Sequence, residues 1–211
     1  MDTKLQTSLL LVLGPIAALV GWMFLYPVEG ETGEFAKQAG DLIANSGVCQ
    51  IGMILGFGGM VAAVAGLFNI SRRMTMGGGA GSSYANIATV LSLVAIGTMV
   101  MGVGFNFAAS NAASVRDGAT LLMVGEAGGA GMFPLGMGVL LALVGIAIAL
   151  EKNYHIAVAG LFVLAGVVFF VGFFVSNFSN ETGDNLYTFI GWIGWMLSSI
   201  VLGALRLRAS D

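Results

Sequence analysis

Six stretches of this chain, residues 8–26, 48–70, 85–109, 132–150, 156–175 and 186–205, are predominantly apolar and contain no Asp, Glu, Lys or Arg. Each runs for 19 residues or more, and a helix needs roughly 20 apolar residues to cross the hydrocarbon of a bilayer. Only 9% of the sequence is charged, whereas a soluble domain carries about 25%. The solvent that suits these runs is lipid. Barrel strands would instead show segments of roughly 10 residues alternating apolar and polar, and that alternation is absent. The expected fold class is therefore an all-α membrane protein. One polytopic domain over 1–211 is expected, a bundle of six transmembrane helices with short interfacial helices in the outer loops. The first run follows Lys4 as a signal peptide would, but it is long enough to span and has no convincing small-residue cleavage site before Pro27.

Positive residues are retained in the cytoplasm during insertion. Lys4, Arg72, Arg73, Lys152, Arg206 and Arg208 fall on one side of the six spans, and Lys37 and Arg116 on the other. The asymmetry predicts both termini inside. The outer side then collects Glu29, Glu31, Glu34, Asp41, Asp117, Glu126, Glu181 and Asp184, which makes it acidic. The expected location is a plasma or inner membrane, crossed several times.

The connections differ in character. Within 32–45, Phe35, Ala39, Leu42 and Ile43 recur at helical spacing with Glu34, Lys37 and Asp41 between them, which predicts a short helix on the outer interface, stopping near Gly47. Residues 118–131, GATLLMVGEAGGAG, are apolar but broken by glycine. A helix over 118–124 is expected there, capped by Asp117 and ending at Gly125. Pro134 suits the first turn of the fourth span. The glycine-rich stretch 72–83 lacks the Lys-Ser or Lys-Thr of a phosphate loop and reads as a flexible linker. A faint echo, Val103-Gly104-Phe105 with Ser110-Asn111 against Val171-Gly172-Phe173 with Ser176-Asn177, leaves duplication of a hairpin and shared membrane composition both open.

Counting excludes several chemistries. One cysteine, Cys49, and one histidine, His155, cannot form an intrachain disulfide, a Cys/His zinc site or bis-histidine haem ligation. No metal and no cofactor are expected. A net charge of -3 without a basic cluster argues against a nucleic-acid partner. The 33 glycines have no collagen period and read as packing residues, among them the Gly52/Gly56 pair and the Ser199/Gly203 pair. The expected partners are the lipid bilayer and, through such small-residue faces, other membrane subunits.

Glu126 is the acid most embedded in apolar sequence. Near hydrocarbon a carboxylate must face water, find a partner or keep its proton. The functional reading is a solute- or proton-handling carboxylate, and the plain one is a solvated loop residue or a structural ion pair with Arg116. Asn106, Ser110, Asn111, Ser176 and Asn177 place amides and hydroxyls at the outer ends of the third and fifth spans, to line a small pocket or to finish helices. Glu126, Asn106 and Asn111, with Phe105 and Phe173 as apolar walls, are the candidate ligand-binding residues. The phenylalanines of the fifth span read as core or as a surface for a lipid, quinone, pigment or partner helix. Trp22, Tyr26 and Tyr187 read as an interfacial belt, and Trp192 and Trp195 should seek acceptors for their indole N–H groups where buried. Residues 177–179 and 180–182 are glycosylation sequons.

No nucleophile stands beside a base, no aspartate pair lies in a span, and no charge accompanies Pro15, the only proline in the interior of a span beyond its first turn. The expected function is therefore non-catalytic: an accessory subunit of a membrane complex, or a binder of an apolar or small ligand from the outer side. A small-solute carrier or channel component is the alternative.

Overall fold

The computed structural model describes residues 3–29, 34–127, 132–178 and 186–208. Glu31, Glu181, Asp184, the sequon at 180–182 and Ser179 of the other sequon lie outside them. Eight helices follow in order: α1 (Thr3–Phe24), α2 (Phe35–Ala44), α3 (Ser46–Gly77), α4 (Ser82–Ser110), α5 (Val115–Ala127), α6 (Phe133–Glu151), α7 (Ile156–Phe178) and α8 (Leu186–Arg208). Six of them, α1, α3, α4, α6, α7 and α8, are long and apolar enough to cross a membrane. The chain is an integral membrane protein of the helical-bundle class, with no strand among the described residues.

Each spanning helix packs against the next, and α8 returns to α1, so the six close into a circle. Both termini share one end. The other end carries α2 and α5, which join α1 to α3 and α4 to α6; it is called the capped end below. Inside the circle, Leu11, Leu67, Met137, Leu140, Phe162, Phe169, Trp195 and Leu202 are buried, and burying a side chain of this size from water is worth about 2 kcal/mol. Between helices already in lipid that term vanishes, and close packing takes over.

Glycine supplies the packing. A Cβ on Gly21 of α1 would collide with the backbone of Gly52 and Gly56 of α3, and one on Gly14 would meet Gly59 O and Ala63 N at 2.8 Å. The Gly52/Gly56 pair thus serves a crossing within the chain, as does Gly203, which faces Ser8, Leu11 and Val12 of α1. Gly138 and Gly166 do the same between α6 and α7.

The long helices overrun their apolar stretches. α3 has 32 residues, about 48 Å at 1.5 Å per residue, and carries Arg72 and Arg73 beyond the apolar run. This corrects the expected flexible linker over 72–83. Only a tight turn separates α3 from α4, entered through Gly78 at φ 65°, and the Glu151 carboxylate of α6 is seated on it. Gly81 N donates to Glu151 Oε1 at 2.8 Å, satisfying an amide at the start of α4. A Cβ on Gly79 would overlap that carboxylate, so the glycines make room for a cap. The hairpin α6–α7 turns in a related way, through Lys152 at φ 55°, and His155 Nδ1 accepts from Ala157 N at 3.2 Å at the start of α7.

The aromatic residues divide by packing. Trp22 lies between Tyr26 and Phe57 with ring centroids 4.5 and 4.7 Å away, and its Nε1 donates to Met60 Sδ at 3.3 Å. It belongs to the core rather than to an interfacial belt, whereas Tyr187 is exposed. Trp195 is fully buried with its indole N–H unpaired, against the expectation of an acceptor. On α7, Phe169 is in the core while Phe170 and Phe174 face outward.

Candidate ligand-binding site at the capped end

α2 forms because Phe35, Ala39 and Leu42 fall on one face, and Ala39 and Leu42 are completely buried. The face expected to lie on lipid is covered by protein instead: α2 packs on α5 and α4. It ends at Ala44, ahead of Gly47, and Asn45 alone separates it from α3. Asn45 N and Nδ2 both donate to Asp41 O, at 3.0 and 3.1 Å.

α5 is longer than expected at both ends. Its start is capped by Ser114 rather than Asp117: Ser114 Oγ accepts from Asp117 N at 3.2 Å and donates to Asp117 Oδ2 at 2.7 Å, a reciprocal cap. It runs through Gly125 to Ala127 because Gly125 is a contact, not a stop. A Cβ there would meet Phe105 Cβ at 2.8 Å, and one on Gly118 would meet Ala39 Cβ at 3.0 Å and Ala109 O at 3.3 Å. Gly118, Leu122 and Gly125 are the buried residues of α5. They share one helix face, and Leu122 joins Ala39, Leu42, Cys49, Met53 and Ala109 in a small second core. Leu121 is packed against it, while Met123 and Val124 stay exposed.

Between α2, α4 and α5 a cavity of about 180 Å³ remains, lined by Phe35, Gln38, Gly102, Phe105, Asn106, Leu122, Gly125 and Glu126. Asn106 is fixed in it. Its Oδ1 accepts from Tyr26 Oη at 2.8 Å, and its Nδ2 donates to Gly102 O at 2.9 Å. The first bond ties the exit of α1 to α4 and leaves one Oδ1 lone pair for another donor. Glu126 stands at the mouth. The residue is exposed as a whole, yet enough protein surrounds its carboxyl that burial pushes the pKa above the ordinary carboxylate range. Among the described residues it has no hydrogen-bond or ion-pair partner.

The structure thus places Glu126, Phe105 and Asn106 around one cavity. Asn111 is not in it: its amide donates to Phe107 O at 2.8 Å and to Ser110 Oγ at 3.3 Å, finishing α4. Phe173 is on α7, which packs between α6 and α8, and its ring meets Phe174 at 5.4 Å. Phe173 is therefore no wall of this cavity, because α5 packs on α4 and α2. The side chains of Ser176 and Asn177 lie outside the described residues. Ser110 Oγ accepts from Gln50 Nε2 at 3.2 Å, joining α4 to α3.

An ion pair with Arg116 is not formed. Arg116 is ten positions from Glu126 on α5 and lines a separate, open groove with Lys37, Val115, Ala119 and Met123. Lys37 approaches Glu34 at 3.9 Å there. Phe35, Gln38, Gly102, Leu122 and Gly125 complete the cavity and are not legible as site residues, because each reads locally as helix face or packing. Among the described residues, no group of three or more His, Cys, Asp or Glu gathers to hold a metal ion. Comparison with protein-family models, curated proteins and solved structures finds no match to this chain.

Proposed function

We propose that this is a non-catalytic protein of a plasma or inner membrane, with its termini in the cytoplasm, that binds a small ligand from the outer side in the cavity beneath α5. The observation that carries the reading is the unpaired Glu126 carboxyl at the mouth of a partly enclosed cavity with aromatic walls. Ligand sites are concave and fix their ligand with a few placed polar groups, and here Asn106 is held by two hydrogen bonds before any ligand arrives. The six apolar stretches contain no Asp, Glu, Lys or Arg, which favours binding over ion-coupled transport.

A second reading, a subunit of a larger complex, is favoured by α4. It is the least enclosed of the six spans, and Ile87, Val90, Val94, Gly97, Met101, Gly104 and Ala108 form an exposed seam along it at alternating three- and four-residue steps. The experiment is a small-molecule thermal-stability screen of the lone protein in lipid nanodiscs, run beside Glu126→Gln. Binding at the cavity predicts compounds that raise the melting temperature of the parent protein and not of the variant. Equal shifts in both, or none in either, would overturn the cavity reading, and co-purification of stoichiometric partner chains from mild detergent would support the second.

A further inference from the structure

We infer that the ligand of this cavity is a small monovalent organic cation, held by the Glu126 carboxylate between the rings of Phe35 and Phe105. This deepens the reading above and rests on it. Of the eight residues lining the cavity, Glu126 is the only one that ionises, so any fixed charge inside it is negative. The two bases of this end, Lys37 and Arg116, line the other groove. Neither contributes to the cavity wall. An anionic ligand would therefore meet a carboxylate with no compensating cation.

A neutral ligand would leave Glu126 ionised and unpaired in a partly dehydrated place, or would require it to stay protonated. A cation removes that cost directly. The remaining groups suit the same ligand. Phe35 and Phe105 both line the cavity, and aromatic rings attract ammonium groups where water is thinned, while Asn106 Oδ1 keeps a lone pair for an O–H or N–H donor on the ligand. A bare metal ion fits poorly, because one carboxylate and one amide oxygen are too few hard ligands and about 180 Å³ is far more room than it needs.

Binding should also follow pH. Facing Glu126 are Phe35 and Gln38 from α2 and Phe105, Asn106 and Gly102 from α4, none of them titratable, while Glu34, Lys37 and Arg116 stand around the neighbouring groove. The cation needs the ionised carboxyl, so affinity should rise with pH through the titration of Glu126 and then level off.

Three probes of nearly equal size and shape test the inference on the full chain in nanodiscs: choline, its uncharged analogue 3,3-dimethylbutan-1-ol, and 3,3-dimethylbutyrate. Titration calorimetry at neutral pH should show choline binding tighter than the alcohol by roughly tenfold, with no binding of the carboxylate. Glu126→Gln should erase that preference, and Phe105→Leu should weaken it while the tryptophan fluorescence and melting temperature report an intact bundle. If the alcohol or the carboxylate binds as well as choline and Glu126→Gln still weakens it, the cavity stands and the cation assignment falls. If none of the three binds, both fall.

Discussion

Glu126 illustrates how one side chain can set a pH response. Its carboxyl titrates above the ordinary carboxylate range because burial penalises the charged form. With the folded-state pKa above the unfolded one, the native state holds the proton more tightly between the two values. The stabilisation is therefore fully present below the unfolded pKa and is lost as pH rises through the folded pKa. Thermal unfolding of the ligand-free protein should accordingly show a fall in melting temperature across that window. Glu126→Gln carries no such proton, so its profile should be flatter there, with stability at neutral pH equal to or above that of the parent. An unchanged profile in the variant would mean that other groups set the pH dependence. At the opposite end Arg206 is 8% exposed, its Nη1 donates to Tyr154 Oη at 3.2 Å, and its Nε has no acceptor among the described residues.

At the scale of elements, glycine marks contacts. Gly125 lies against Phe105 and Gly118 against Ala39, so α5 rests directly on its neighbours and closes the cavity. Gly125→Leu should force α5 away from α4, since overpacking costs about 1–3 kcal/mol. The measurement is hydrogen exchange: amides of α5 should lose protection while those of α6 and α7 keep theirs, and uniform loss would show that α5 is not a separable cap. The same glycines explain what the sequence could and could not reveal. Six spans are legible because hydropathy acts through composition alone, and α2 because its apolar residues repeat at helical spacing. The ends of α5 are not legible: Ser114 and Asp117 both read as caps for its start, and glycine ordinarily stops a helix unless a tertiary neighbour such as Phe105 turns it into an interface. The cavity was half legible. A lone acid in apolar sequence points to Glu126, and a polar residue at a helix end points to Asn106, but the same reasoning points equally to Asn111 and Phe173, which packing commits to the end of α4 and to α7.

The whole molecule is a closed circle of six helices with unequal ends. The end bearing the termini carries Lys4, Arg72, Arg73, Lys152, Arg206 and Arg208, with Glu151 committed to the turn before α4; the capped end carries Glu29, Glu34, Asp41, Asp117 and Glu126 against Lys37 and Arg116. Insertion favours keeping the basic end in the cytoplasm, and an acidic outer end would raise the local concentration of cations around the cavity. Both consequences depend on one orientation, which single-cysteine labelling can read. Cys49 is buried, so a membrane-impermeant maleimide should report introduced sites over a low background. Met76, 71% exposed near the end of α3, and Arg116 on α5 serve the two ends. In intact cells, Arg116→Cys should label from outside and Met76→Cys only after permeabilisation. The reverse pattern would place the cavity on the cytoplasmic side, where its ligand would have to come from the cell interior. Labelling of both sites in intact cells would show insertion in two orientations, as expected only if the charge asymmetry were too weak to fix one.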